Sequence, residues 1–189
     1  MPLTTLDPRT ALVVVDLQVG IVGMPGLTHP AADVVAKSAE LAVAFRRHGL
    51  PVVLVNVAGA PAGRTDQGGG TAMTLPPESL AFPPELGQQP TDKVVTKRTR
   101  GAFHGTDLAA YLTEQGVTQV VVTGIATGAG VLVTALEAHQ HGLNVTLPVD
   151  AMTDRSAEVH DFNVAQVFPK VGETGTTADV LALLETTRP

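Results

Sequence analysis

VVVTGIATGAGVLVTALEAHQHG, residues 120–142, runs a β-branched apolar strand straight into a glycine-rich turn and then a helix. A strand that is apolar without alternation belongs inside a sheet covered on both faces, because each side chain then meets a hydrophobic layer whichever way it points. The turn GIATGAG (124–130) at the mouth of the helix presents backbone N–H groups toward an anion or a developing oxyanion. Small residues there also permit close helix-to-strand packing. Val131, Ala135 and Ala138 share one face of the helix 129–141, so packing is part of the turn's role in either case.

The same unit recurs outward in both directions. ALVVVD (11–16), PVVLVNV (51–57), KVVTK (93–97), TQVVVTG (118–124) and LNVTLPVD (143–150) read as strands. The helix over 31–48 puts Val34, Leu41 and Phe45 on one face and stops at Gly49. A second helix covers 105–116, capped by Thr106 or Asp107 and ended by Gly116. A helix over 156–168 is broken by Pro169, and a last short strand and helix fill roughly 170–186.

Alternating units of this length dictate an α/β fold: a three-layer, Rossmann-like sandwich with a mostly parallel sheet of about six strands and helices on both faces. The chain, 189 residues long, suits one such domain over 1–189. The stretch 58–92 is rich in glycine and proline and reads as a lid or subunit-contact loop rather than a linker, since the flanking strands need each other.

Composition narrows the function. The net charge of -6 opposes binding to nucleic acid or anionic membrane, both polyanions. The chain has no cysteine, which removes disulfides, zinc-thiolate sites and thiol catalysis together. No stretch approaches the roughly 18 apolar residues needed to cross a bilayer, and the first residues lack the pattern of an export signal, so a soluble cytoplasmic protein is expected. His139, His141 and His160 lie on presumed helices without ligand partners at metal-site spacing and read as surface residues, and His104 reads as packing and capping. No metal or cofactor is expected.

In a parallel sheet, ligands gather at the carboxyl ends of the strands. Asp16, Lys97 and the turn 124–130 all fall there. A carboxylate and an ammonium brought together from separate strand ends form a pair whose proton affinities depend on burial and on each other; taken singly, each also reads as an ordinary strand terminus.

ALVVVDLQ, KRTRGAFHGTDL, GIATGAGVLVTA and LPVDAMTD, in that order, resemble the isochorismatase-like, or cysteine hydrolase, superfamily over almost the whole chain. The resemblance implies that Asp16 is the catalytic acid or base and that Lys97 stabilises charge beside it. It further implies that a cis peptide joins Ile125 and Ala126, that the amides of Ala126 and Gly130 form an oxyanion hole, and that Gln18, Arg100, Phe103 and Thr127 contact substrate. The family turn usually reads GxxTxxCVxxTA, which places Gly130 at the nucleophilic cysteine. True isochorismatases share that glycine and cleave a vinyl ether without a covalent intermediate. Nicotinamidases bind a metal through an aspartate and histidines after the second strand, and AGAPAGRTD (58–66) offers no such set.

The resemblance therefore implies a non-covalent, Asp16-dependent hydrolase of a small, anionic molecule, with isochorismate-type vinyl ether hydrolysis leading. For Asp16 to be the acid near neutral pH, desolvation must outweigh the attraction of Lys97. The residues that contact isochorismate in those enzymes appear here as Arg100, Ala126 and Val57, which implies a different pocket; Arg100 suits a carboxylate. The competing readings are a family member without activity serving as a binding or structural protein, and a nucleotide-binding module, against which GxxxGxG spacing counts. The resemblance and the proline-rich loop together imply a homo-dimer or homo-tetramer.

Overall fold

The computed structural model describes residues 3–66, 68, 69 and 71–187. The strands are β1 (Thr10–Val15), β2 (Val52–Val57), β3 (Lys93–Lys97), β4 (Gln119–Ile125), β5 (Asn144–Pro148) and β6 (Glu173–Gly175). They form a wholly parallel sheet in the order β6-β5-β4-β1-β2-β3, and a two-residue strand, Met152–Thr153, joins beside the end of β4. The main helices are α1 (Ala31–Arg47), α2 (Leu108–Glu114), α3 (Leu132–Gln140), α4 (Ala157–Phe162) and α5 (Thr177–Thr187).

Every residue of β1 and β4 is buried, as continuous apolar runs between two helical layers require. Side chains alternate across the sheet. Ala11, Val13 and Val15 pack with Leu108 and Leu112 of α2 and with Ala135 and Ala138 of α3. Leu12 and Val14 pack on the other face with Val34, Leu41 and Phe45 of α1 and with Val180 and Leu184 of α5. These are the three layers.

Strand order reverses between β1 and β4: successive strands run outward from β1 to β3, then restart on the other side at β4. A crevice opens at the carboxyl ends where the order reverses. Val15 pairs with Gly124 there, so Asp16 and the 124–130 turn are neighbours by register. Gly124 is required: its φ is 120°, and an added Cβ would lie 2.0 Å from the Val15 carbonyl oxygen.

Two helices differ from expectation. The helix expected over 129–141 starts as a π turn, Thr127–Val131, in which the Val131 N–H reaches back to the Ala126 carbonyl, before α3 takes over. The helix expected over 156–168 is α4, then a π turn, Asn163–Val167, and a 3-10 turn, Phe168–Lys170, that accommodates Pro169. Within 58–92, Gly59–Ala60 pairs antiparallel with Met73–Thr74. Among the described residues no helix is long and apolar enough to cross a membrane.

Candidate active site

Asp16 is the residue immediately after β1. Its N–H still bonds the Val55 carbonyl at 2.9 Å, but its φ is 56°, a left-handed conformation that Asp tolerates better than most side chains. Chain direction changes at that point, and the carboxylate faces the crevice. The Lys97 ammonium, from the end of β3, lies 2.8 Å from Asp16 Oδ2. It also donates to the carbonyls of Thr99 at 3.2 Å and Arg100 at 2.7 Å, so all three of its protons are committed.

Both charged groups are buried. Burial pushes the Asp16 carboxyl up to about 6 against the opposing pull of the Lys97 charge and hydrogen bond. Its other oxygen, Oδ1, is buried with no hydrogen-bond partner among the described residues. An orphaned carboxyl oxygen is costly to bury in an inert protein and is what a proton donor needs.

The Ile125–Ala126 peptide bond is cis. Ala126 and Gly130 line the same cavity as Asp16 and Lys97, a space of about 590 Å³. A Cβ on Gly130 would lie 2.9 Å from Asp16 Oδ2, 3.0 Å from Val15 Cγ1 and 3.2 Å from the Ile125 carbonyl oxygen. The turn thus packs directly against the carboxylate. Its start is held from below, because the Gly128 N–H donates to Asp154 Oδ2 at 2.8 Å.

The remaining walls are mostly apolar, with Ile21, Met24, Leu27, Val57 and Met73 among them. Gly59–Gly63 and Thr65, from the glycine- and proline-rich stretch, complete one side. The two hydroxyls in the lining are engaged elsewhere: Thr99 Oγ1 donates to the Gly101 carbonyl at 3.1 Å and Thr65 Oγ1 to the Gly68 carbonyl. With no cysteine in the chain, the described lining offers an acid–base pair and no free nucleophilic side chain.

Of the residues expected to serve the site, Asp16, Lys97, Arg100, Ala126 and Gly130 line the cavity; Gln18, Phe103 and Thr127 do not. Gln18 is instead a staple. Its amide nitrogen donates to the carbonyls of Val57 and Ser79, both at 3.1 Å, its amide oxygen accepts from Val57 N–H at 2.6 Å, and the side chain is fully buried. Phe103 lies in the core on the α2 and α3 side and stacks on His141, 4.9 Å between centroids. Thr127 turns away to share a 2.8 Å hydrogen bond with His160 Nδ1.

His160 is thereby buried rather than a surface residue, and desolvation lowers its pKa. Sequence reasoning missed Arg155, which lines the cavity, and Asp154, which holds the turn. The available signal for Asp154 was an acidic residue at a strand end just before Ser156, the cap of α4.

A family model described as the isochorismatase domain matches residues 10–179. The chain belongs to the isochorismatase family. An uncharacterized isochorismatase-family protein of Bacillus subtilis is 41 % identical over 181 residues, covering 92 % of this chain and 93 % of the relative. An uncharacterized isochorismatase-family protein of Escherichia coli O157:H7 is 36 % identical over 181 residues, covering 93 % and 96 %. Among solved structures, an isochorismatase-family protein from Burkholderia thailandensis superposes with a TM-score of 0.89 at 45 % identity, covering 96 % of this chain and 98 % of that one. As an isochorismatase-family hydrolase, the chain places its cavity where the order of its sheet reverses.

Proposed function

We propose that this hydrolase cleaves a small anionic metabolite without a covalent intermediate, with Asp16 as general acid and water as the attacking group. One observation carries the reading: a carboxyl group held near pKa 6, with an unpartnered oxygen, shares a cavity with no thiol and no uncommitted hydroxyl. Such equipment suits a substrate that needs a proton before water can attack.

A carboxylated vinyl ether of the isochorismate type is the leading candidate. Asp16 protonates the terminal enol carbon and the C=C π electrons form the new C–H bond, leaving an oxocarbenium ion. Water adds to the cationic carbon and its surplus proton returns to the Asp16 carboxylate. The hemiketal then collapses to an alcohol and a 2-oxo acid. Lys97 steadies the carboxylate that exists between the two proton transfers, and Gly130, which we assign to the position of the family's cysteine, packs against Asp16 without supplying an attacking side chain.

Release of pyruvate from isochorismate, followed with a coupled dehydrogenase, tests this reading, with Asp16→Asn as control. Turnover that disappears in the variant supports it. If isochorismate, other carboxylated enol ethers and small amides all go unhydrolysed, the chain is a family member that binds without catalysing.

A further inference from the structure

The methionines among the described residues occupy two kinds of environment. Met152 is fully buried beside β4, in the core layer that contains Val15 and Val122. Met24 and Met73 are 40 % and 53 % exposed, and both line the cavity that holds Asp16 and Lys97. They reach it from separate segments. Met24 follows the helical turn Val19–Val22, with its N–H bonded to the Ile21 carbonyl at 3.0 Å. Met73 lies in the short strand paired with Gly59–Ala60, where its carbonyl oxygen sits so close to Gly59 that an added Cβ would lie 1.9 Å away. Both backbones are held in place, so a change at either sulfur is taken up by the side chain.

A thioether has no proton to lose and is nucleophilic at any pH. With no cysteine in the chain, no thiolate competes with it for an oxidant. The sulfur lone pair takes one oxygen of hydrogen peroxide, the O–O bond breaks and hydroxide leaves. The proton on the new S–OH group passes to that hydroxide, giving a sulfoxide and water, with one electron pair moved from sulfur to the peroxide. The product is polar where the thioether was apolar. Either the S=O group is desolvated against Ile21, Leu27 and Val57, or the side chain turns out to water and its apolar area is lost from the wall. Both routes weaken the hold on a ligand with an apolar body.

We propose that Met24 and Met73 are a peroxide-modification site at the rim of the cavity, and that their oxidation lowers the cavity's affinity for apolar-bodied ligands until the sulfoxides are reduced. The effect on turnover rests on this cavity being the substrate site; the modification and the loss of affinity do not require turnover.

The folded full chain is treated with hydrogen peroxide, quenched with free methionine, mapped by peptide mass spectrometry and titrated with the fluorescent probe 1-anilinonaphthalene-8-sulfonate. Met24 and Met73 each gain one oxygen while Met152 stays unmodified. The treated chain binds the probe at least about fivefold more weakly than the untreated chain. Methionine sulfoxide reductases return the affinity to its starting value. The double variant Met24→Leu, Met73→Leu, compared only with its own untreated sample, shows no peroxide effect. Met24 or Met73 left unmodified, Met152 oxidised as fast as they are, an unchanged probe affinity, or a loss that persists in the leucine double variant overturns the proposal. The probe reads the cavity without catalysis, so a chain that hydrolyses no enol ether can still pass this test and an active hydrolase can fail it.

Discussion

The Lys97 ammonium lies 2.8 Å from Oδ2 of Asp16, while Oδ1 of the same carboxyl is buried without a partner among the described residues. One oxygen is anchored and the other is available. That asymmetry orients the acid, and burial keeps it protonated far above the usual carboxylate range, at about 6.

The pH dependence of activity follows. With Asp16 as the acid, kcat/KM is highest below pH 6 and falls as the group loses its proton, giving a descending limb with an apparent pKa near 6. The stability sign is the same: between about pH 4 and pH 6 the folded state holds a proton that the unfolded chain has released, so this group's contribution declines as pH rises. Asp16→Asn lowers kcat/KM by about 10²- to 10⁴-fold. A pH profile with no limb between 5 and 7 would falsify the assignment.

Lys97→Met removes the opposing cation and leaves desolvation alone acting on Asp16. The limb then moves upward from pH 6, since the neutral acid is favoured more strongly. The melting temperature of the variant relative to wild type drops more at pH 8 than at pH 5, because only at high pH is an unpaired carboxylate buried. Equal losses at both pH values contradict this.

At Gly130 two effects compete. Alanine gains roughly 0.8–1 kcal/mol of helical propensity over glycine. Against it, the new Cβ meets Asp16 Oδ2 at 2.9 Å and Val15 Cγ1 at 3.0 Å, an overpacking cost of about 1–3 kcal/mol. Net stability changes little, by about 2 kcal/mol or less. Turnover suffers more, because the atom displaced is the one Lys97 holds. Gly130→Ala therefore loses at least about tenfold in kcat with a melting temperature within roughly 8 °C of wild type. Full activity in this variant would place the chemistry away from the Asp16–Gly130 contact.

How far the sequence carries can be judged on these same residues. Continuous apolar runs such as ALVVVD and TQVVVTG dictate a doubly covered parallel sheet, and Asp16, Lys97 and the 124–130 turn at strand ends mark the crevice. What the pattern does not reveal is where a polar side chain turns. Gln18 follows Asp16 by two residues, yet its amide matches three backbone groups of neighbouring segments and spends itself there. Arg155 enters the cavity because Met152–Thr153 pairs beside β4, a contact fixed by tertiary register and carried by two residues too few to show periodicity.

His160 gives the acid side of the stability curve. Desolvation, aided by the nearby His29, lowers its pKa, while Asp161 and Asp154 pull it upward. The unfolded chain takes up this proton first as pH falls below about 6.5, so stability is lost on acidification, opposite in sign to Asp16. Thr127→Val leaves the buried imidazole without its 2.8 Å partner, a cost of about 1–3 kcal/mol. Thermal unfolding at pH 7.5 then shifts down by roughly 2–12 °C. An unchanged midpoint would mean that the hydrogen bond contributes nothing.

Glu137 of α3 gives the sharpest separation of structure from positioning. Its Oε2 accepts the Phe103 N–H at 3.0 Å, and the Gly101 backbone passes so close that an added Cβ would lie 2.0 Å from that oxygen. The segment pinned there, 99–103, supplies both carbonyls that hold Lys97. Glu137→Ala strands a buried N–H, which lowers the melting temperature by about 2–12 °C. If its role ended there, the pH profile of kcat/KM would keep its limb. Because the segment also fixes the ammonium, its release weakens the Lys97 pull on Asp16, so the limb rises above 6 while kcat drops about 10- to 100-fold. Glu137→Gln keeps an acceptor oxygen and restores both the limb and most of the rate; a glutamine variant as impaired as alanine would show that charge on α3, rather than the hydrogen bond to Phe103, is what Lys97 responds to.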